Sequence, residues 1–183
     1  MQVEELTIPG VKLINGKIAE DIRGSFFKPY NYKEILKLVS QFEPKEVFYS
    51  ISKNNVIRGM HFQKPPSAQA KIVTVIKGKI TDVLLDLRID SKHYGKFISI
   101  DLDQNDGKSI FIPRGVAHGF LGKELENIVL YLTDSEYSKE NEDGIRYDSF
   151  GYNWGTTNPV FSERDASFMK FENFNSPFGN LQW

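Results

Sequence analysis

Ile72-Val-Thr-Val-Ile76, Lys77-Gly-Lys79 and Ile80-Thr-Asp-Val-Leu-Leu-Asp-Leu87 decide the fold. Two runs rich in β-branched and alternating apolar residues, each of strand length, flank a three-residue break centred on glycine, and the pattern predicts a tight β-hairpin. The strands continue outward from it. Lys96-Phe-Ile-Ser-Ile-Asp-Leu102, a polar turn at Asp103-Gln-Asn-Asp-Gly107, Ser109-Ile-Phe-Ile112 and Asn127-Ile-Val-Leu-Tyr-Leu-Thr133 follow at short, regular intervals. Such a series predicts a sandwich or barrel. Lys33-Glu-Ile-Leu-Lys-Leu-Val-Ser40 alone has helical spacing. The tail beyond about Asp143, rich in Gly, Asn, Ser and aromatics, predicts irregular structure packed over the barrel.

The chain has 183 residues, 40% of them hydrophobic and 13% aromatic, which is enough for one buried core. No repeat, low-complexity tract or linker divides it, so a single domain over 1–183 is expected. With no cysteine, neither disulfides nor thiolate metal sites can form, and a cytoplasmic setting is the simplest expectation. The start, Met1-Gln-Val-Glu-Glu-Leu6, is acidic and lacks the apolar core of a secretory signal. No stretch approaches the roughly 20 apolar residues that a membrane span needs, so no membrane partner is expected. A net charge of -1 with interleaved signs leaves no basic footprint for nucleic acid.

Two of the three histidines fall in strand-like motifs, His61 in Arg58-Gly-Met-His-Phe-Gln63 and His118 in Ile112-Pro-Arg-Gly-Val-Ala-His-Gly-Phe120. Neighbouring barrel positions for the pair suggest proton transfer. His93, in Asp90-Ser-Lys-His-Tyr-Gly95, reads as a loop residue.

These motifs, with Pro65-Pro66, Gln69-Ala-Lys71, Lys77-Gly78, Asp82-Val83, Asp86-Leu-Arg88, Tyr131-Leu-Thr133, Tyr137 and the stretch from Asp143 to Arg146, resemble the dTDP-4-dehydrorhamnose 3,5-epimerase family from Asp21 to Asp165. The resemblance implies an all-β, cupin-like jelly-roll barrel with short peripheral helices, a homodimer, and a reaction without cofactor. It implies a place in surface-polysaccharide synthesis, such as capsule or lipopolysaccharide.

The chemistry suits the residues. A 4-keto sugar on a nucleoside diphosphate has acidified protons at C3 and C5, because loss of either gives an enolate delocalised onto the C4 oxygen. Inversion needs a base on one face and an acid on the other. His61 suits the base, with an ordinary pKa of about 6.5, and Tyr131 the acid, with one of about 10. Lys71 could hold the developing enolate oxygen by a charge-assisted hydrogen bond. By resemblance, Asp165 in Ser162-Glu-Arg-Asp165 bonds to the base and sets its tautomer. His118 would line the same pocket and polarise or position the carbonyl.

Each residue alone has a plainer reading: a core histidine for His61, a strand-start surface lysine for Lys71, a barrel tyrosine for Tyr131, a helix or turn residue for Asp165 and relief of crowding beside Gly119 for His118. The ordered motifs favour the catalytic reading. A metal centre is disfavoured, because the His-x-His pair of metal-binding barrels is replaced by His61-Phe-Gln63.

For the substrate, Arg58 and Arg23 resemble the family's diphosphate-side positions, and Gln69 joins them as a binding residue. The nucleoside side departs from the family. Lys28 stands where a glutamate is usual, and Glu46 and Phe48 stand where an amide pair is usual. A carboxylate accepts well from the adjacent N–H donors of guanine, so Glu46 leans the expectation toward a GDP-linked 4-keto-6-deoxy hexose or heptose over a dTDP sugar. The alternatives are a 3,4-ketoisomerase and a non-catalytic sugar-binding barrel.

Overall fold

The computed structural model describes residues 2–39 and 42–179. Its strands are β1 (Gln2–Glu5), β2 (Lys12–Asn15), β3 (Ile18–Asp21), β4 (Gly24–Phe27), β5 (Glu46–Ser52), β6 (Ile57–Gln63), β7 (Lys71–Lys77), β8 (Lys79–Asp86), β9 (Phe97–Asp103), β10 (Lys108–Ile112), β11 (Val116–Gly122), β12 (Asn127–Thr133) and β13 (Glu142–Gly144). Helix α1 (Tyr32–Leu38) and the short α2 (Glu163–Ser167) complete the scaffold. The order β1-β2-β10-β7-β12-β5 forms one sheet and β13-β6-β11-β8-β9 the other, with β3 and β4 as a separate hairpin. All these ladders are antiparallel, and two facing sheets connected by crossovers make the expected jelly roll.

Strand parity explains the layers, since successive side chains point to opposite faces. Val73 and Val75 of β7, Ile80 and Leu84 of β8, Val116 and Phe120 of β11, and Val129 and Tyr131 of β12 share the core between the sheets. The intervening Val83, Leu85 and Ala117 pack outward against Phe150, Trp154 and Phe178 of the tail. On the other sheet, Ile72 and Leu132 face outward onto Ile35 of α1 and Phe42. Each fully buried aliphatic or aromatic side chain of this kind contributes about 1.5–3 kcal/mol. The tail is therefore a third layer that covers the five-stranded sheet.

The stretch from Ile72 to Leu87 departs from expectation in one respect. β7 and β8 form no ladder with each other. β7 pairs with β10 and β12, whereas β8 pairs with β9 and β11. Lys77-Gly-Lys79 is a corner between sheets, with Gly78 at φ 80° where an added Cβ would strike the Glu126 carbonyl. Alternation records which face a residue takes, not which strand lies beside it.

Helix α1 covers the expected segment but begins at Tyr32, with Asn31 as N-cap accepting from the Glu34 amide at 3.3 Å. Ser40, the last residue of the sequence-based helix, lies outside the described residues. No helix among the described residues is long and apolar enough to cross a membrane.

Candidate active site

The same parity that builds the core aims polar groups at one end of it. Lys71 alternates with Val73 and Val75, Asp82 lies between Ile80 and Leu84, His118 between Val116 and Phe120, and Tyr131 follows Val129. All four are buried. They meet at a cavity of about 390 Å³, which Lys71, His118 and Tyr131 line together with His61, Arg58, Gln69, Glu46 and Phe48.

His61 reaches the cavity through a local break in the sheet. Gly59 has φ 141°, and an added Cβ would collide with Gly119 on β11, so the two glycines let β6 and β11 approach where their register shifts. That approach makes His61 and His118 cross-strand Cα partners. It also presents the Gly59 amide to the tail.

Asp165 arrives on α2, whose Ser162 N-cap accepts from the Asp165 amide at 3.0 Å. Its Oδ1 lies 2.9 Å from His61 Nε2, and its Oδ2 accepts from the Gly59 amide at 3.1 Å. Burial alone would raise the Asp165 pKa. Hydrogen bonding and charge attraction from His61, with the Gly59 amide, outweigh it and hold the carboxyl at about 2. An ionised Asp165 accepts the Nε2 proton, which leaves Nδ1 as the basic nitrogen. Burial depresses the His61 pKa, against the pull of Asp165.

Lys71 is buried, and burial lowers its pKa to about 8 even though Asp82 and Glu142 oppose the shift. The Tyr131 phenol moves the other way, since burial raises it far above its ordinary value. Ser50 Oγ lies 3.4 Å from the Tyr131 hydroxyl, and the Phe48 ring stacks on the phenol at 4.8 Å and 15°. Phe48 thus braces the tyrosine from β5.

His118 makes a second histidine–aspartate pair, its Nε2 2.8 Å from Asp82 Oδ2. Arg58 is anchored on β5, donating from Nε to Ser52 Oγ at 2.8 Å and from Nη2 to the Ile51 carbonyl at 3.1 Å. Gln63 accepts from the Ser138 amide at 3.1 Å and serves the scaffold. Among the described residues no three His, Asp or Glu side chains converge as a metal site.

Two expected binding residues are not brought to this cavity. Arg23 lies in the turn of the β3–β4 hairpin, exposed and paired with Asp21, and Lys28 follows that hairpin; neither lines the cavity. The reason is topological, because the hairpin joins neither large sheet.

Sequence reasoning misses two residues of this site, Asp82 and Arg164. A carboxylate at an inward position of an apolar strand was the available signal for Asp82. Arg164 had none.

A model of the dTDP-4-dehydrorhamnose 3,5-epimerase family matches residues 5–173. The chain belongs to that family. This epimerase is 35% identical over 171 residues to a dTDP-4-dehydrorhamnose 3,5-epimerase of Sinorhizobium fredii, covering 91% of this chain and 88% of the relative. Among solved structures it resembles an epimerase of Mycobacterium tuberculosis, 33% identical with a TM-score of 0.90, over 94% of this chain and 90% of that one. A dTDP-6-deoxy-D-glucose-3,5-epimerase of Legionella pneumophila, in complex with dTDP-4-keto-L-rhamnose, superposes with a TM-score of 0.93 at 26% identity, over 100% of this chain and 99% of that one. The family and two of these relatives are named for dTDP sugars. The expectation of a GDP-linked sugar, read from Glu46, therefore has no support in them.

Proposed function

We propose that this epimerase inverts C3 and C5 of a dTDP-linked 4-keto-6-deoxy hexose without a metal or other cofactor. One observation carries the reading: His61 on one sheet, 2.9 Å from Asp165 of α2, borders the same cavity as Tyr131 on the facing sheet. A sugar ring held between the sheets has a base toward one face and an acid toward the other.

His61 Nδ1 takes the proton from C3 or C5, and the electron pair of that C–H bond moves into the ring to give the C4 enolate. Lys71, as an ammonium, donates to the enolate oxygen where negative charge develops. The Tyr131 hydroxyl then gives its proton to the carbon from the opposite face, after which the His61 imidazolium releases its proton to solvent and the Tyr131 phenolate takes one up from solvent. Asp165 stabilises the imidazolium and fixes the ring. Arg58 and Gln69, at the cavity, are placed for the diphosphate and sugar hydroxyls.

A homodimer completes the reading. The β3–β4 hairpin exposes Ile22 and Phe26 beside Arg23, and the edge strand β5 exposes Val47, Tyr49 and Ile51. A second copy covering these apolar side chains would give Arg23 and Lys28 a substrate to meet. Sedimentation at micromolar concentration tests it, and a monomer at every concentration would remove the dimer.

The test of the reaction is incubation with a dTDP-4-keto-6-deoxy hexose in deuterated water. Deuterium at both C3 and C5 with inversion is expected. A carbonyl moved to C3 would make the protein a ketoisomerase, and unlabelled substrate that nevertheless binds would make it a sugar-binding barrel.

A further inference from the structure

Arg164 stands beside the base without a part in the proton transfers above. Its Nη1 donates to Glu142 Oε1 at 2.7 Å, and its Nε lies 3.5 Å from Asp165 Oδ1. Its Nη2 comes within 3.3 Å of His61 Nε2, the same nitrogen that Asp165 approaches at 2.9 Å. The clamp is itself fixed. Glu142 accepts from the Tyr137 hydroxyl at 2.8 Å, and the guanidinium sits 5.8 Å from the centroid of the Phe168 ring.

One nitrogen cannot satisfy both neighbours. A bond to Asp165 needs the proton on Nε2, whereas a bond from Arg164 needs a lone pair there. The shorter contact to an ionised acceptor decides the tautomer, so Nε2 keeps its proton. Arg164 is left as a fixed positive charge against a ring that turns positive when it takes the substrate proton. Asp165 and Arg164 therefore act on that ring with opposite signs.

We propose that Arg164, clamped by Glu142, is a positioning residue that offsets the Asp165 carboxylate, so that Asp165 orients His61 without leaving it protonated at working pH. The inference rests on His61 being the base, as proposed above. The groups facing His61 are Asp165 and Arg164 from α2, Glu142 from β13, Lys71 from β7, and His118, its cross-strand partner, from β11. Of the two cations, Arg164 is the one within hydrogen-bond distance of the ring. The direction of titration agrees: burial is the main cause that lowers the His61 pKa, Asp165 raises it, and Arg164 and Lys71 lower it. Removing Arg164 leaves burial and Lys71 to oppose the carboxylate and shifts the ring toward its protonated form.

Ring titration by NMR on the substrate-free protein tests this apart from turnover. The chain has three histidines, so a His61→Asn spectrum assigns the His61 signals. Arg164→Gln should raise the His61 midpoint by roughly one pH unit and carry the acidic limb of kcat/KM with it. Arg164→Lys, which keeps the charge, should bring the midpoint most of the way back. Unchanged His118 ring chemical shifts in the same spectra report an intact barrel. A His61 midpoint that stays or falls in Arg164→Gln overturns the proposal, as does an Arg164→Lys variant that behaves like the glutamine. The midpoint is readable in a protein that turns nothing over, so failure of the epimerase reading and failure of this inference give different results.

Discussion

His61 and His118 are Cα partners on β6 and β11, and each points its Nε2 at an aspartate from a different part of the chain. His61 meets Asp165 from the tail helix, and the side chain of the pair's histidine keeps 25% of its surface exposed. His118 meets Asp82 from the neighbouring strand β8, and that histidine is 5% exposed. The difference in access divides the roles. Under the proposed mechanism the more accessible His61 takes the substrate proton and the more enclosed His118 orients a substrate oxygen.

His61→Asn keeps the size and polarity of the side chain and removes the basic nitrogen. Deuterium incorporation at C3 and C5 should fall by about 10²–10⁴-fold, the usual contribution of a general base, while nucleotide binding persists. Mass spectrometry of the recovered sugar measures it. Exchange at the parental rate would remove His61 from the mechanism.

Tyr131→Phe leaves the stack on Phe48 and removes one hydroxyl. Proton removal at the base should continue, and return should come from the same face, so label enters with the original configuration retained. NMR of the product resolves the stereochemistry. Inverted product at the parental rate would reduce Tyr131 to a packing residue.

The pH profile of kcat/KM should be a bell. Activity needs His61 neutral, so it rises as pH climbs through a midpoint below the ordinary histidine value, burial being the main cause of that depression. It needs Lys71 charged, so it falls as pH passes about 8, where burial has brought that ammonium. Tyr131 is raised, not lowered, and cannot supply the alkaline limb. Lys71→Arg should push that limb beyond the measurable range, and a limb that stays near 8 would assign it to another group.

Chelation should leave activity unchanged. The carboxylates nearest the two histidines each bind one imidazole, Gln63 is occupied by the Ser138 amide, and among the described residues no three His, Asp or Glu side chains converge. Loss with a chelator and recovery with a divalent ion would overturn the metal-free reading.

Calorimetric titration should find dTDP bound more tightly than GDP. Glu46→Gln should alter the two affinities alike, because a carboxylate serving guanine would instead weaken GDP selectively by about 1.5–3 kcal/mol. A selective loss of GDP affinity would restore the guanine reading of Glu46.

The sequence by itself determined the strands and the faces they present. Alternation placed Val73, Val75 and Val129 in one layer, and with them it committed Lys71 and Tyr131 to the same interior. The reason for the glycine in Arg58-Gly-Met-His-Phe-Gln63 belongs to the tertiary structure, since only a residue without a side chain allows β6 to approach β11 there. Tertiary structure alone decided which strands are neighbours and brought Arg164 to the base, while Asp165 was legible there only through the family resemblance. β7 and β8 adjoin in sequence yet lie in opposite sheets, because a period of two specifies a face and leaves the partner to closure of the whole barrel. Asp165 and Arg164 lie 104 and 103 residues from His61 along the chain, and no local pattern encodes a contact of that span. Their meeting depends on the tail folding over the five-stranded sheet, where Phe150, Trp154 and Phe178 bury its outer face.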